Sequence, residues 1–193
     1  MDIFNKKTLK GLIPPILLGL FRKLTGREYG FFGNYPAWEE ARKLSSGYDS
    51  DAIIEKIKDS MLKVRDGKAV CERDSVLFDR IEYSWPLLAG LMLAAAENGG
   101  RLNALDFGGS FGSTFFQNRK FLDCLSELKW NIVEQEKIVK CGKEKFEDDI
   151  LRFYYNIDDC FKCEPKINVI ILSSVIQYIE KPYELLKELI AKK

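Results

Sequence analysis

Leu105-Asp106-Phe107-Gly108-Gly109-Ser110-Phe111-Gly112-Ser113 (LDFGGSFGS, residues 105–113) is the stretch on which the fold turns. Residues 101–107 read as a strand that ends on an acid. The glycines after it make a tight turn, and residues 113–128 carry helical spacing. Downstream the alternation continues. Residues 130–134 (WNIVE) read as a second strand followed by a helical stretch to Asp149, and residues 151–156 as a third strand. Residues 168–173 (NVIILS) are apolar on both faces, as a central parallel strand is, and a final helix covers 182–192. Strand–helix–strand order of this kind specifies an α/β, doubly wound, mostly parallel sheet. Upstream, residues 37–46 and 50–64 read as short helices. Asp66-Gly67 is a turn signal, and Asp74 caps a long helix to about Asn98, kinked or interrupted at Pro86 and ended by Gly99-Gly100. The expected organisation is an N-terminal arm and helical cap over 1–98 and an α/β core over 99–193, packed as one globular unit.

Two nucleotide-binding patterns compete for the glycine turn. G-x-G-x-x-G, aligned on Gly109 and Gly112, needs glycine at 107, where the chain has Phe107. The acidic-x-G-x-G-x-G pattern of S-adenosylmethionine enzymes, aligned on Asp106, finds Gly108 and Gly112, with Ser110 in the middle slot. Chemistry favours the second. A pyrophosphate wants bare N–H groups at a helix start, and an acid there repels it. A cationic sulfonium gains from a carboxylate, and glycines let the backbone approach closely. Glu134 ends the second strand 22 residues past Gly112, where open α/β sheets bind ligands. Its carboxylate can accept both ribose hydroxyls. Asp158 or Asp159 is a candidate for the adenine amino group, and Ser173, with Ser174, ends the fourth strand beside the expected crevice. A tight turn without ligand and an ordinary solvated Glu134 are the plainer alternatives.

Composition removes whole classes of chemistry. The 193 residues contain no histidine, which excludes histidine bases, Ser-His and Cys-His pairs and most catalytic zinc sites. Thirty basic against 29 acidic residues give no electrostatic case for nucleic acid. Lysines 137, 140, 143 and 145 alternate with glutamates as a solvated helix face. Cysteines 71, 124, 141, 160 and 163 are an odd, scattered set that suits a reducing cytoplasm. Cys160 and Cys163 form a lone C-x-x-C, read as part of a polar turn with Pro165, and no metal site is expected. Residues 6–23 hold an apolar run flanked by Lys6, Lys7, Lys10, Arg22 and Lys23. The run is too short to span a bilayer, which needs roughly 20 residues. It reads either as an arm packed on its own domain or as a peripheral contact with an anionic inner-membrane surface. Residues 25–36 read as an ordered loop.

The runs CERDSVLFDRIEYSWPLLAGLM (71–92), LDFGGSFGSTFFQNRKFL (105–122), WNIVEQ (130–135) and NVIILSSVIQYIEKPYELL (168–186) resemble a little-characterised family of bacterial S-adenosylmethionine-dependent methyltransferases often associated with surface-polysaccharide loci. The resemblance covers about Gly30 to Ile190. It implies a class I methyltransferase-like (Rossmann-like) fold with S-adenosylmethionine as cofactor. Asp106, Gly108, Gly109, Ser110 and Gly112 would form the cofactor loop, and Glu134 would lie at the ribose. A complete domain of that class has seven strands, whereas the strands read here stop at the fourth. The expectation is a sheet truncated there, its apolar edge covered by the N-terminal helices or by a second copy of the chain in a homodimer. Glu82, Tyr83 and Trp85 before the sheet, and Gln177 and Tyr178 after its fourth strand, are the candidate substrate residues. Flat aromatic faces with polar edges suit a small-molecule or glycan-type acceptor, though Tyr83 and Trp85 also read as core residues of a long helix. Two rivals are a non-catalytic truncated binding domain and an NAD(P)-dependent oxidoreductase.

Overall fold

The computed structural model describes residues 33–44 and 50–192, so the arm at 6–23 and most of the loop at 25–36 lie outside the described residues. The chain divides into two compact units, Met1–Ser45 and Ser46–Lys193. The first contributes helix α1 (Trp38–Leu44), acidic in its first turn and basic in its last, which favours the helix dipole. The second carries everything else. Residues 50–98 fall in the second unit together with the sheet.

Helix α2 (Asp51–Arg65) buries Ile54, Ile57 and Met61 along one face. The long helix expected from Asp74 to Asn98 is not formed. In its place strands β1 (Cys71–Arg73) and β2 (Val76–Phe78) make an antiparallel hairpin, with Arg73 opposite Val76. Its two-residue turn holds Asp74 at φ 50° and Ser75 at φ 67°. Both central residues are left-handed, the turn whose twist matches that of paired strands. Helix α3 (Trp85–Glu97) starts only at Trp85, and Pro86 lies in its first turn, producing no kink. Proline lacks the N–H that an interior position must donate but loses nothing in the first turn.

The α/β region then follows: β3 (Arg101–Phe107), α4 (Ser113–Leu122), β4 (Glu127–Val133), α5 (Glu136–Lys145), β5 (Leu151–Tyr154), α6 (Ile157–Cys163), β6 (Val169–Ile171), a 3-10 turn (Ile176–Tyr178) and α7 (Pro182–Ala191). β5, β4, β3 and β6 form a four-stranded parallel sheet in that order. The first strand sits between the second and the fourth, a topology compatible with a Rossmann-like fold. Among the described residues the open side of β6 has no neighbouring strand.

Two boundaries differ from the sequence reading for tertiary reasons. β4 begins at Glu127, not at 130, because it pairs with β3 along its full length from Arg101 onward. Residues 157–163 form α6, not a polar turn, so Cys160 is buried inside a helix while Cys163 is exposed, both as free thiols. Asn156 and Asp159 cap this helix reciprocally: Asp159 N–H donates to Asn156 Oδ1 at 2.8 Å, and Asn156 Nδ2 donates to Asp159 Oδ2 at 2.8 Å. Asn156 is thus the N-cap of α6, with a side-chain bond to Asp159 beside it, in an N-x-x-D stretch of the sequence.

Apolar side chains cover both faces of the sheet. Leu102, Ala104, Trp130, Ile132, Leu151 and Phe153 pack with residues of α2, α3, α4 and α5. Leu105 and Val133 pack with Ile157, Cys160 and Leu189 of α6 and α7. The result is helix, sheet and helix in three layers. Among the described residues no helix is long and apolar enough to cross a membrane.

Candidate functional site

The glycine turn occupies the C-terminal end of β3, beside the point where the strand order reverses between β3 and β6. Open parallel sheets place their crevice there. Gly108 (φ 75°), Ser110 (φ 53°) and Gly112 (φ 92°) adopt left-handed backbone. A side chain at Gly112 would come within 3.3 Å of Leu151, so that glycine lets α4 approach the sheet. The other two glycines open on groups of the chain itself. A Cβ at Gly108 would lie 2.6 Å from Val175 of the β6 loop, and one at Gly109 would lie 2.6 Å from the Asp106 carboxyl. The loop after β6 is thereby seated directly on the turn.

Asp106 ends the buried part of β3 and is only 1% exposed. Trp130, one pleat back on the same face of the neighbouring strand, donates its indole N–H to Asp106 Oδ2 at 3.1 Å. Burial pushes the Asp106 carboxyl up to about 7; the indole bond opposes that rise and the charge of Glu134 adds to it. Asp106 therefore sits beneath Gly109 as a buried acid, and it does not stand open at the crevice mouth.

Glu134 follows the last residue of β4 and is half-buried. Its Oε1 accepts the backbone N–H of Ser110 at 3.2 Å, and its Oε2 accepts that of Gln135 at 2.7 Å. Burial raises this carboxyl above the ordinary glutamate range, while both N–H bonds pull the other way. The Ser110 hydroxyl is buried without a hydrogen-bond partner. The structure thus brings Asp106, Gly108, Gly109, Ser110, Gly112 and Glu134 into one cluster.

The remaining candidates are distributed around it. Ser173 is exposed just beyond β6, and Ser174 has φ 56°. Gln177 donates to the Ser174 carbonyl at 2.9 Å, and Tyr178 is 53% exposed, both in the loop that carries Val175. Asp158, in the first turn of α6, pairs with Lys192 at 2.5 Å, while Asp159 is held in the α6 cap. Tyr83 and Trp85 meet Phe121 edge-to-face, with ring centroids 5.1 and 6.3 Å away. Glu82 is exposed and its carbonyl accepts Gln117 Nε2 at 2.6 Å. Phe121 lies eight residues along α4, roughly 12 Å from its start by helical rise. Trp85 is 62% exposed, so it is not the core residue that helical spacing alone suggested. A cleft of about 460 Å³ between α2 and α5 is lined by none of these residues. Its lysines 58, 137, 140 and 145 each pair with a carboxylate.

Sequence reasoning missed Glu72. It is 5% exposed on β1, and its carboxylate accepts the Ser113 hydroxyl at 2.7 Å at the start of α4. No local signal marks it, because a glutamate in a polar ERDS segment reads as surface. No family model, curated protein or solved structure matches the chain.

Proposed function

We propose that the chain is a class I methyltransferase-like protein that binds S-adenosylmethionine at the glycine turn and passes its methyl group to a small-molecule or glycan-type acceptor in the bacterial cytoplasm. The observation that carries this reading is the pairing of the two strand-end features: the carboxylate ending β4 reaches the turn ending β3, at the Ser110 N–H. An acid after the second strand is what a ribose diol requires. Each Glu134 oxygen accepts one N–H and keeps a second lone-pair direction for a hydroxyl. The buried, unpartnered Ser110 hydroxyl adds a polar group for a ligand to satisfy. These residues fit the cofactor: Glu134 would hold the ribose, and Ser110 with its flanking glycines would hold the adjoining part. Asp106 keeps the turn's underside in place.

When bound, the cofactor supplies an electrophilic methyl group on sulfur. The chain's part is to align an acceptor with it, since orientation supplies much of the rate of such a displacement. With no histidine, any proton removed from a sugar hydroxyl must go to a carboxylate, tyrosine or lysine. Gln177 and Tyr178 belong to the loop seated on the turn, which favours them as acceptor contacts over Tyr83 and Trp85. The glycan class rests on the family resemblance alone.

The non-catalytic reading is favoured by one observation: Val175 and the Asp106 carboxyl, both of this chain, lie where side chains at Gly108 and Gly109 would go. The NAD(P) reading is disfavoured by Phe107, which stands where its glycine pattern needs glycine. Calorimetric titration of the purified chain with S-adenosylhomocysteine tests the proposal. One-site binding that Glu134→Ala weakens is expected, and heat equal to dilution from a folded chain would refute it.

A further inference from the structure

We infer that Glu72 is a positioning residue that clamps the start of α4, and with it the glycine turn, to the β1–β2 hairpin. The inference rests on the cofactor reading only for its consequence in binding. A carboxylate withdrawn from water needs hydrogen-bond donors, and Glu72 has two, from different parts of the chain. Its Oε1 accepts the Ser75 backbone N–H at 2.6 Å, and its Oε2 accepts the Ser113 hydroxyl at 2.7 Å. The first bond braces a turn whose two central residues, Asp74 and Ser75, are left-handed without being glycine. Such backbone is costly unless its surroundings hold it. Ser60 of α2 adds a third element by donating its hydroxyl to the Ser75 carbonyl at 3.0 Å. The second bond reaches the first residue of α4, next to Gly112 at φ 92°.

Glu134 meanwhile holds the N–H of Ser110. The turn is therefore gripped three residues apart by two acids from separate elements, one from the sheet and one from the hairpin. Loss of the hairpin grip leaves the start of α4 held by its own helix, by packing and by the longer contact of the Ser113 hydroxyl with Met61 Sδ at 3.5 Å. The order of the turn, and the affinity of whatever it binds, then fall together.

Amide hydrogen exchange on the free protein reads the turn without any ligand, and titration with S-adenosylhomocysteine reads the consequence. In Glu72→Ala, exchange at residues 110–116 rises about tenfold or more while β4 and β5 keep wild-type protection. Binding of S-adenosylhomocysteine weakens about fivefold, as loss of a buried hydrogen bond implies. Glu72→Gln keeps an acceptor for the Ser75 N–H and a polar partner for Ser113, and stays within about twofold of wild type in both. If Glu72→Ala does not fold, Ser113→Ala, which leaves the Ser75 bond to Glu72 intact, takes its place with the same expectation for 110–116. Wild-type exchange over 110–116 in the folded variant overturns the inference. So does a Gln variant as impaired as the Ala variant, which would assign the effect to charge. A localised rise in exchange, with no binding heat even from the wild-type chain, sustains the clamp and overturns the cofactor reading instead.

Discussion

Glu134 and Ser110 are 24 residues apart in the chain and joined at 3.2 Å, so that the acid closing β4 also closes the turn at the end of β3. The two strands run in parallel register, Phe107 opposite Val133, which brings the residues just past them side by side. A carboxylate in that place serves the protein's own backbone, and in the proposed function its remaining lone pairs serve the ribose. The first prediction follows from this double use. Glu134→Ala loses both, and S-adenosylhomocysteine affinity falls about tenfold or more, a charge-assisted bond being worth about 1.5–3 kcal/mol. Glu134→Gln keeps one acceptor oxygen and falls in between. Equal dissociation constants for all three proteins in calorimetry would remove Glu134 from the site.

Asp106 makes a stability prediction with a definite sign. Its carboxyl is pushed up to about 7 by burial, so the folded state holds the proton more tightly than the unfolded chain, whose aspartates titrate near 3.8. The stabilisation from this group is full below the unfolded value and is lost as pH rises through about 7, by up to about 4 kcal/mol. Asp106→Asn retains an acceptor for the Trp130 indole and carries no such dependence. Urea unfolding at pH 4.5, 6 and 8 should show wild type losing ground to Asp106→Asn as pH rises. Parallel curves would mean that the buried carboxyl is not the titrating group.

Gly108 and Val175 form the contact that seats the β6 loop on the turn. Gly108→Ala meets Val175 and forces alanine into left-handed backbone, at a cost of about 2–3 kcal/mol. Val175→Ala in the same protein relieves the collision and leaves the backbone term. The double variant should recover about 1 kcal/mol relative to simple addition of the two single changes, measured as a double-mutant cycle in urea. Strict additivity would show that the two residues do not touch.

The side of β6 that has no neighbouring strand among the described residues bears on the expectation that a second copy covers it. An apolar strand with an unpaired edge is a template for another strand, and Tyr183 and Ile190 on α7 are 78% and 72% exposed. A second copy pairing through β6 predicts dimers in sedimentation equilibrium at micromolar concentration. A monomer across that range would count against it.

Much of this architecture was legible in the sequence because it is local. Apolar periods mark β3 to β6 and helices α4 and α5 between them. Acid and glycines after β3 mark the turn, and an acid after β4 marks its neighbour. Helix α6 was not legible, although Asn156 and Asp159 at its start carry its cap; its short stretch reads as polar loop beside Pro165. Nor was the hairpin, because residues 71–78 are short, polar at their centre and lack the Asn-Gly that usually signals such a turn. Their strand character comes from pairing with each other and packing on α2 and α4. The early start of β4 is likewise a gift of its ladder with β3.

The sequence by itself therefore determined the α/β class, the turn and the identity of its two strand-end acids, since each depends on residues adjacent in the chain. Only the tertiary structure decided what those acids touch: Asp106 beneath Gly109 with Trp130, Glu134 on Ser110, and Glu72 joining the turn from the far side. Burial and hydrogen-bond partnership are set by groups dozens of residues away. No local pattern records which carboxylate will lose its water.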